Sequence, residues 1–184
     1  MLTQNTNWSN VEKAIGNLKA AGVLAARALH RVPTAELALL IRPSGYFNIK
    51  AGRLKAFLAF ISTAYNGSMK NMGKVETASL RHELLNVHGI GPETADSILL
   101  YALDKPVFVI DAYTKRVMSR HGIIDYKASY DEYQQLFHDV LDEDAKLFNE
   151  YHALLVMAGK DYCKPKPRCA NCPLSQVKFI RKTG

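Results

Sequence analysis

Apolar residues recur along this chain at three- and four-residue intervals rather than at every second position, a pattern that predicts helices and no sheet. Over residues 7–20, Val11, Ala14, Ile15 and Leu18 share one face. The segments LAARALH (24–30) and AELALLIR (35–42) predict two further short helices, and Pro43-Ser44-Gly45 ends the second of them. A long helix is expected from about Asn48 to Tyr65, through Leu54, Phe57, Leu58 and Ile61, and closed by Asn66-Gly67. SLRHELLNV (79–87) then leads into a break at His88-Gly89-Ile90-Gly91, and Pro92-Glu93-Thr94 restarts a helix whose apolar face holds Ala95, Ile98, Leu99 and Ala102. That helix should end near Asp104-Lys105-Pro106. The apolar run Val107-Phe108-Val109-Ile110 is too short to build a sheet and delivers Asp111 to the start of the next helix, at roughly 112–121. Two more helices follow at about 130–141 and 145–161, then a cysteine-containing segment. The expected class is all-α.

Composition narrows the picture only modestly. With 184 residues, 48% hydrophobic and 22% charged, the chain can bury one core or two small ones sharing an interface. Its net charge of +7 suits a polyanionic partner, although positive charge serves solubility as readily. The distribution is more telling. Lys164, Lys166, Arg168, Lys178, Arg181 and Lys182 crowd the C-terminal stretch with no acid among them, whereas 125–150 is acidic on balance. Three cysteines within ten residues are too few for a disulfide scaffold. Neither a signal peptide nor an apolar run of membrane-spanning length is evident, so an intracellular, cytoplasmic protein is expected.

The break at 88–91 carries the first chemistry. Its glycines let the backbone turn tightly, and the N–H groups of Gly89, Gly91 and the following helix start can bind an anion such as a DNA phosphate. This is a helix-hairpin-helix. A single carboxylate, Asp111, follows at a fixed distance. Without context, an aspartate before a helix reads first as an N-cap.

The ordered set LxxxxGIGxxTA, a proline-containing turn, an apolar run and VIDAYTKRV resembles the helix-hairpin-helix DNA glycosylases of the endonuclease III superfamily. Blocks at MLTQNTNWSNVEKA, IRPSGYFNIKAGRL (41–54), HALLVMAGK (152–160) and CKPKPRCANCPL (163–174) extend the likeness over nearly the whole chain. It is nearest to the superfamily's 3-methyladenine DNA glycosylases. The resemblance implies a helical barrel over residues 1–105, a second helical layer over 106–184, and Asp111 at the mouth of a cleft between them. In the family another helix precedes the block that opens this chain, so an N-terminal helix is expected to be missing.

Under this resemblance Asp111 is the catalytic carboxylate, stabilising an oxocarbenium-like sugar and activating water at C1′ of a flipped-out nucleotide. The bifunctional members carry a lysine two residues after the second hairpin glycine, and its amine forms a Schiff base; here that residue is Glu93, which implies a monofunctional enzyme. Trp8 matches the aromatic that members removing 3-methyladenine place in the base pocket, where an indole can stack on a cationic base. Tyr46 matches the residue that wedges into the duplex, and Gln4 or Asn5 the one that fills the gap. Gly89, Gly91, Thr94, Lys50 and Lys164 are the further DNA contacts expected. Arg53, Lys115, Arg116 and Arg120 are candidates for which a solvated helix face is the blander reading. His152 reads as structural.

Cys163, Cys169 and Cys172 match the family's C-terminal [4Fe-4S] loop, where a fourth cysteine stands at the place held here by Lys178; the first spacing is also one residue shorter than in the family. Clusters of this type take four thiolates. A labile cluster, a relic loop without one, and a zinc site lacking a fourth ligand all stay open. The expected partner is double-stranded DNA containing a damaged base, bound by a monomer with no membrane involved. The expected reaction is hydrolysis of the N-glycosidic bond of an alkylated purine, 3-methyladenine first. Two alternatives remain: an endonuclease III-like glycosylase for oxidised pyrimidines or mismatched uracil or thymine, and a non-catalytic DNA-binding protein.

Overall fold

The computed structural model describes residues 1–177, and among these every regular element is helical. Lys178, Arg181 and Lys182, counted above in the basic stretch, lie outside the described residues. Two compact units form, Met1–Ala95 and a second that begins at Asp96.

The first unit contains α1 (Trp8–Ala20), α2 (Ala26–Arg31), α3 (Thr34–Leu40), a 3₁₀ turn (Arg42–Ser44), α4 (Phe47–Tyr65), α5 (Met69–Met72), α6 (Thr77–Leu85) and the start of α7 (Pro92–Leu103). Each boundary has a local cause. Asn7 caps α1 by accepting from the Asn10 N–H, and Glu76 caps α6 by accepting from Ala78 and Ser79. The predicted run 35–42 divides because its last turn tightens into the 3₁₀ segment at Pro43. The four-residue α5, absent from the expected set, is capped by Ser68. Ala14, Leu18, Leu29, Leu37, Ile41 and Leu58 form the core of this unit.

The second unit contains the rest of α7, then α8 (Ala112–Arg120), α9 (Tyr130–His138) and α10 (Ala145–Asp161). Between α7 and α8 the run 107–110 lies outside any regular element and is wholly buried, and among the described residues no strand satisfies its backbone. Side chains of α9 do so instead. Gln134 donates to the Phe108 carbonyl at 2.7 Å, the Phe108 N–H donates to His138 at 3.2 Å, and the Ile110 N–H donates to the Tyr130 hydroxyl at 3.2 Å. Phe108 also stacks on Phe137 with centroids 3.8 Å apart, at the centre of a core completed by Val109, Ile110, Val117, Tyr133, Phe148 and Leu155. An aromatic core and three side-chain hydrogen bonds thus fix the segment that places Asp111.

The division between units falls within α7, earlier than residue 105. The first turn of α7 is tied to its own unit by the hydrogen bond from Gln4 to Thr94, and Asp96 is tied to α9 by Gln134.

Candidate active site

Asp111 is the N-cap of α8, extended at φ −108° and ψ 178°, and its Oδ1 accepts the Thr114 N–H at 2.7 Å. The capping role therefore uses one oxygen. Oδ2 stays available for chemistry, 3.9 Å from Nε2 of His152 on α10. His152 is buried, its Nε2 has no hydrogen-bond partner, and its Nδ1 lies 2.5 Å from the hydroxyl of Tyr101 on α7. Burial pushes the imidazole's pKa down, which the Asp111 charge partly offsets. Burial and then the same carboxylate push the Tyr101 phenol up to about 12. At neutral pH the tyrosine therefore keeps its proton and the histidine is neutral.

Close packing of α8 against α10 sets this geometry. Gly159 on α10 lies so near Tyr113 that an added Cβ would stand 2.7 Å from the Tyr113 Cβ. Only glycine lets the two helices approach at that point. Sequence reading took His152 as structural and did not place it beside Asp111; the glycine in the same HALLVMAGK block was the signal that α10 runs against something at short range.

In the first unit the hairpin takes the expected form. Gly89 adopts φ +83°, the Ile90 N–H donates to the Val87 carbonyl at 3.0 Å, and the Gly91 carbonyl accepts the N–H groups of Thr94 and Ala95. The N–H groups of Gly89 and Gly91 donate to no group among the described residues, and the space beside Gly91 is open. An anion has room to approach there.

Residues expected near the base or the duplex divide into two kinds. Trp8 is 61% exposed, with its indole N–H donated to Glu12 at 2.8 Å, so it is not a core tryptophan. Tyr46 is 67% exposed and holds a left-handed backbone, φ 47°, immediately before α4. Asn5 is exposed and also left-handed, φ 52°. Non-glycine residues in that conformation cost of order 1 kcal/mol or more and recur at ligand-contacting sites. Gln4 differs, because its amide is already engaged, donating to Thr94 Oγ1 at 3.0 Å and accepting from Arg53 at 3.0 Å.

Two expected DNA contacts are corrected by the structure. Lys50 is only 2% exposed, and its ammonium donates to the carbonyls of Leu2 (2.9 Å) and Ser44 (2.6 Å). Burial pushes its pKa down and the neighbouring Arg53 charge adds to this, so it pins the chain start to α4 and offers nothing to phosphate. The Thr94 side chain is turned inward to meet Gln4, leaving only its backbone on the hairpin surface. Lys115, Arg116 and Arg120 likewise point to protein. Lys115 donates to the Ala128 carbonyl, Arg116 to those of Gly159 and Cys163, and Arg120 to those of Lys164 and Pro165.

These arginines hold the cysteine segment. Arg120 also donates to Cys163 Sγ at 3.4 Å, and a cavity of about 380 Å³ beside the loop is lined by Val117, Tyr162, Cys163, Cys169, Cys172 and Leu174 among others. A [4Fe-4S] cluster of the family's kind does not fit this donor set. The chain supplies three thiols, one of them spanned by a guanidinium, and among the described residues no three metal-ligating side chains are gathered. The fourth place, Lys178, lies outside the described residues. The Lys164 backbone is part of the arginine-held loop, and its side chain is partly exposed.

Residues 1–143 match the family described as HhH-GPD superfamily base excision DNA repair protein. This chain belongs to that superfamily. Over 178 residues, 96% of this chain and 80% of its relative, it is 49% identical to the Methanocaldococcus jannaschii protein named "Putative DNA repair glycosylase MJ1434". The H. pylori 3-methyladenine DNA glycosylase MagIII, solved bound to 1,N6-ethenoadenine, is similar with a TM-score of 0.76 and 31% identity over 86% of this chain and 80% of that one. A non-covalent endonuclease III–DNA complex shares the fold, with a TM-score of 0.79 at 24% identity over 95% of this chain and 77% of that one. The HhH-GPD chain described here is thus an all-helical base excision repair protein, and among its described residues no helix is long and apolar enough to cross a membrane.

Proposed function

We propose that this chain is a monofunctional DNA glycosylase that hydrolyses the N-glycosidic bond of a flipped-out alkylated purine, 3-methyladenine first. The observation that carries this reading is the split use of Asp111, whose Oδ1 is spent on the α8 cap while Oδ2 remains for the reaction. In the proposed reaction Oδ2 stabilises positive charge developing at C1′ as the base departs and accepts a proton from the attacking water. A cationic base is already an activated leaving group, so no strong acid is needed on its side.

Glu93 supports the hydrolytic assignment, since a carboxylate cannot form the imine on which strand cleavage depends. Trp8 supports the alkylpurine assignment by offering an exposed indole face, and the 3-methyladenine DNA glycosylase MagIII has 31% identity to this chain. Phosphates are proposed to meet the Gly89 and Gly91 N–H groups and Lys164, with Tyr46 and Asn5 in the duplex. The cysteine loop is proposed to serve as a DNA-facing element held by Arg116 and Arg120.

The test is a panel of duplexes, each carrying one lesion: 3-methyladenine, thymine glycol, mismatched uracil or mismatched thymine. Release of the methylated purine is expected, with strand breaks only after alkali and no adduct trapped by borohydride. Efficient release of thymine glycol, or a trapped adduct, would assign the chain to the endonuclease III kind of chemistry instead.

A further inference from the structure

His152 is a buried, titratable side chain that the reaction just described does not use. Its Nε2 has no partner although it faces the one carboxylate oxygen that the α8 cap leaves free, 3.9 Å away. Such an atom needs a reason to be there, because a buried polar group without a partner is costly. The groups around it supply one. Asp111 at the head of α8 and Tyr101 on α7 are the titratable groups that face the ring, and the Phe108 ring, 6.3 Å away edge-on, closes an apolar side.

A neutral imidazole has one N–H, and these neighbours decide where it sits. With the proton on Nδ1, the Nε2 lone pair would point at the Asp111 carboxylate, an arrangement of like partial charges in a poorly solvated place. With the proton on Nε2, the N–H dipole points at the carboxylate, and Nδ1 is free to accept from Tyr101. The tyrosine can donate because its raised pKa keeps it protonated, and at 2.5 Å the contact is a short, well-formed hydrogen bond. Every neighbour therefore favours the same tautomer.

Resting on the glycosylase reading above, we infer that Tyr101 and His152 form a positioning pair that fixes the Nε2–H tautomer and thereby keeps an N–H dipole aimed at Asp111 Oδ2, holding that oxygen in place. Neither residue touches the substrate; both act through Asp111. The separation of 3.9 Å is longer than a hydrogen bond, so in this state the Nε2–H acts on the carboxylate as an oriented dipole. Protonation of His152 in acid would replace that dipole with a full positive charge beside Asp111, quenching the carboxylate's field where the sugar cation must be stabilised. Activity should therefore have an acid limb that belongs to His152.

Two measurements test this. Ring-nitrogen NMR of the whole chain, followed from about pH 5 to about pH 8, should show His152 as the neutral Nε2–H tautomer at neutral pH, with mixed tautomers in Tyr101→Phe. An Nδ1–H tautomer, or an imidazolium, at neutral pH would overturn the inference whatever the enzyme's substrate. In single-turnover release from methylated duplex DNA, His152→Leu should slow the reaction about tenfold or more while DNA binding stays within about threefold. His152→Gln, whose amide N–H cannot gain a charge, should recover part of the rate and carry the acid limb to lower pH. Superimposable acid limbs in wild type and His152→Gln, or full activity in His152→Leu, would contradict the positioning role. A wild type that releases no methylated base defeats the substrate reading, and the NMR result still decides the tautomer.

Discussion

Gly89 turns its α-carbon into the side chain of Arg53: a Cβ added there would fall 2.1 Å from Arg53 Cγ and 2.5 Å from Cδ. Arg53 in turn donates to Gln4, which donates to Thr94 beside the hairpin. The hairpin glycine and the chain start are thus linked through one guanidinium.

Gly89→Ala is expected to be destabilising on two counts, the clash with Arg53 and the positive φ, together about 1–3 kcal/mol by urea unfolding. Gly91→Ala should leave stability nearly unchanged, since nothing lies within 4 Å of the position, yet weaken DNA binding by obstructing phosphate approach. Equal stability losses in the two variants would remove the distinction drawn between them.

For Lys50 the structure predicts a stability effect and no electrostatic one. Lys50→Met leaves the Leu2 and Ser44 carbonyls without their donor and should cost about 1–3 kcal/mol. The salt dependence of DNA binding should not change. Lys164→Ala should do the reverse, lowering the slope of log K against log salt by about one with little effect on unfolding.

Trp8 lies exposed at the head of α1, so Trp8→Ala should scarcely alter thermal stability. Its excision of 3-methyladenine should fall about 10- to 30-fold, the loss expected from a cation–π stack, and Trp8→Phe should keep most of the activity. Unchanged lesion choice in Trp8→Ala would separate Trp8 from the base.

Burial of His152 also makes stability depend on pH. The folded-state pKa is below the ordinary imidazole value of 6.5, so the unfolded chain takes up a proton that the folded chain refuses. Stability is then complete above that value and declines as pH falls from it toward the folded pKa. Urea midpoints measured across this interval should fall in wild type and fall less in His152→Leu; parallel curves would show that His152 is not the group responsible.

Much of this was legible in the chain. The hairpin, the all-helical class and the capping position of Asp111 followed from local signals, glycines at a break, a proline at a helix start and a carboxylate before a helix, while a catalytic role for Asp111 came from the family resemblance. His152 was not legible. It meets Asp111 across 41 positions of sequence, no spacing rule joins α10 to the head of α8, and only Gly159 marked the close helix packing that brings them together. Lys50 misled for a related reason. A lysine on an amphipathic helix is ordinarily solvated, and the two carbonyls that bury it come from the chain start and from the turn before α4. The support of 107–110 by α9 side chains was equally hidden, since a short apolar run does not reveal whether its backbone will be satisfied by a strand or by Gln134, His138 and Tyr130.

The most direct test of the central claim is Asp111→Asn, assayed for base release and lesion binding together. Asparagine is as good an N-cap as aspartate, so the Thr114 hydrogen bond and α8 should persist and the variant should fold. Lesion-DNA binding should stay within about tenfold of wild type, roughly 1.4 kcal/mol, while single-turnover release of the methylated purine falls by orders of magnitude. Base release at near wild-type rate by a folded Asp111→Asn protein would contradict the account.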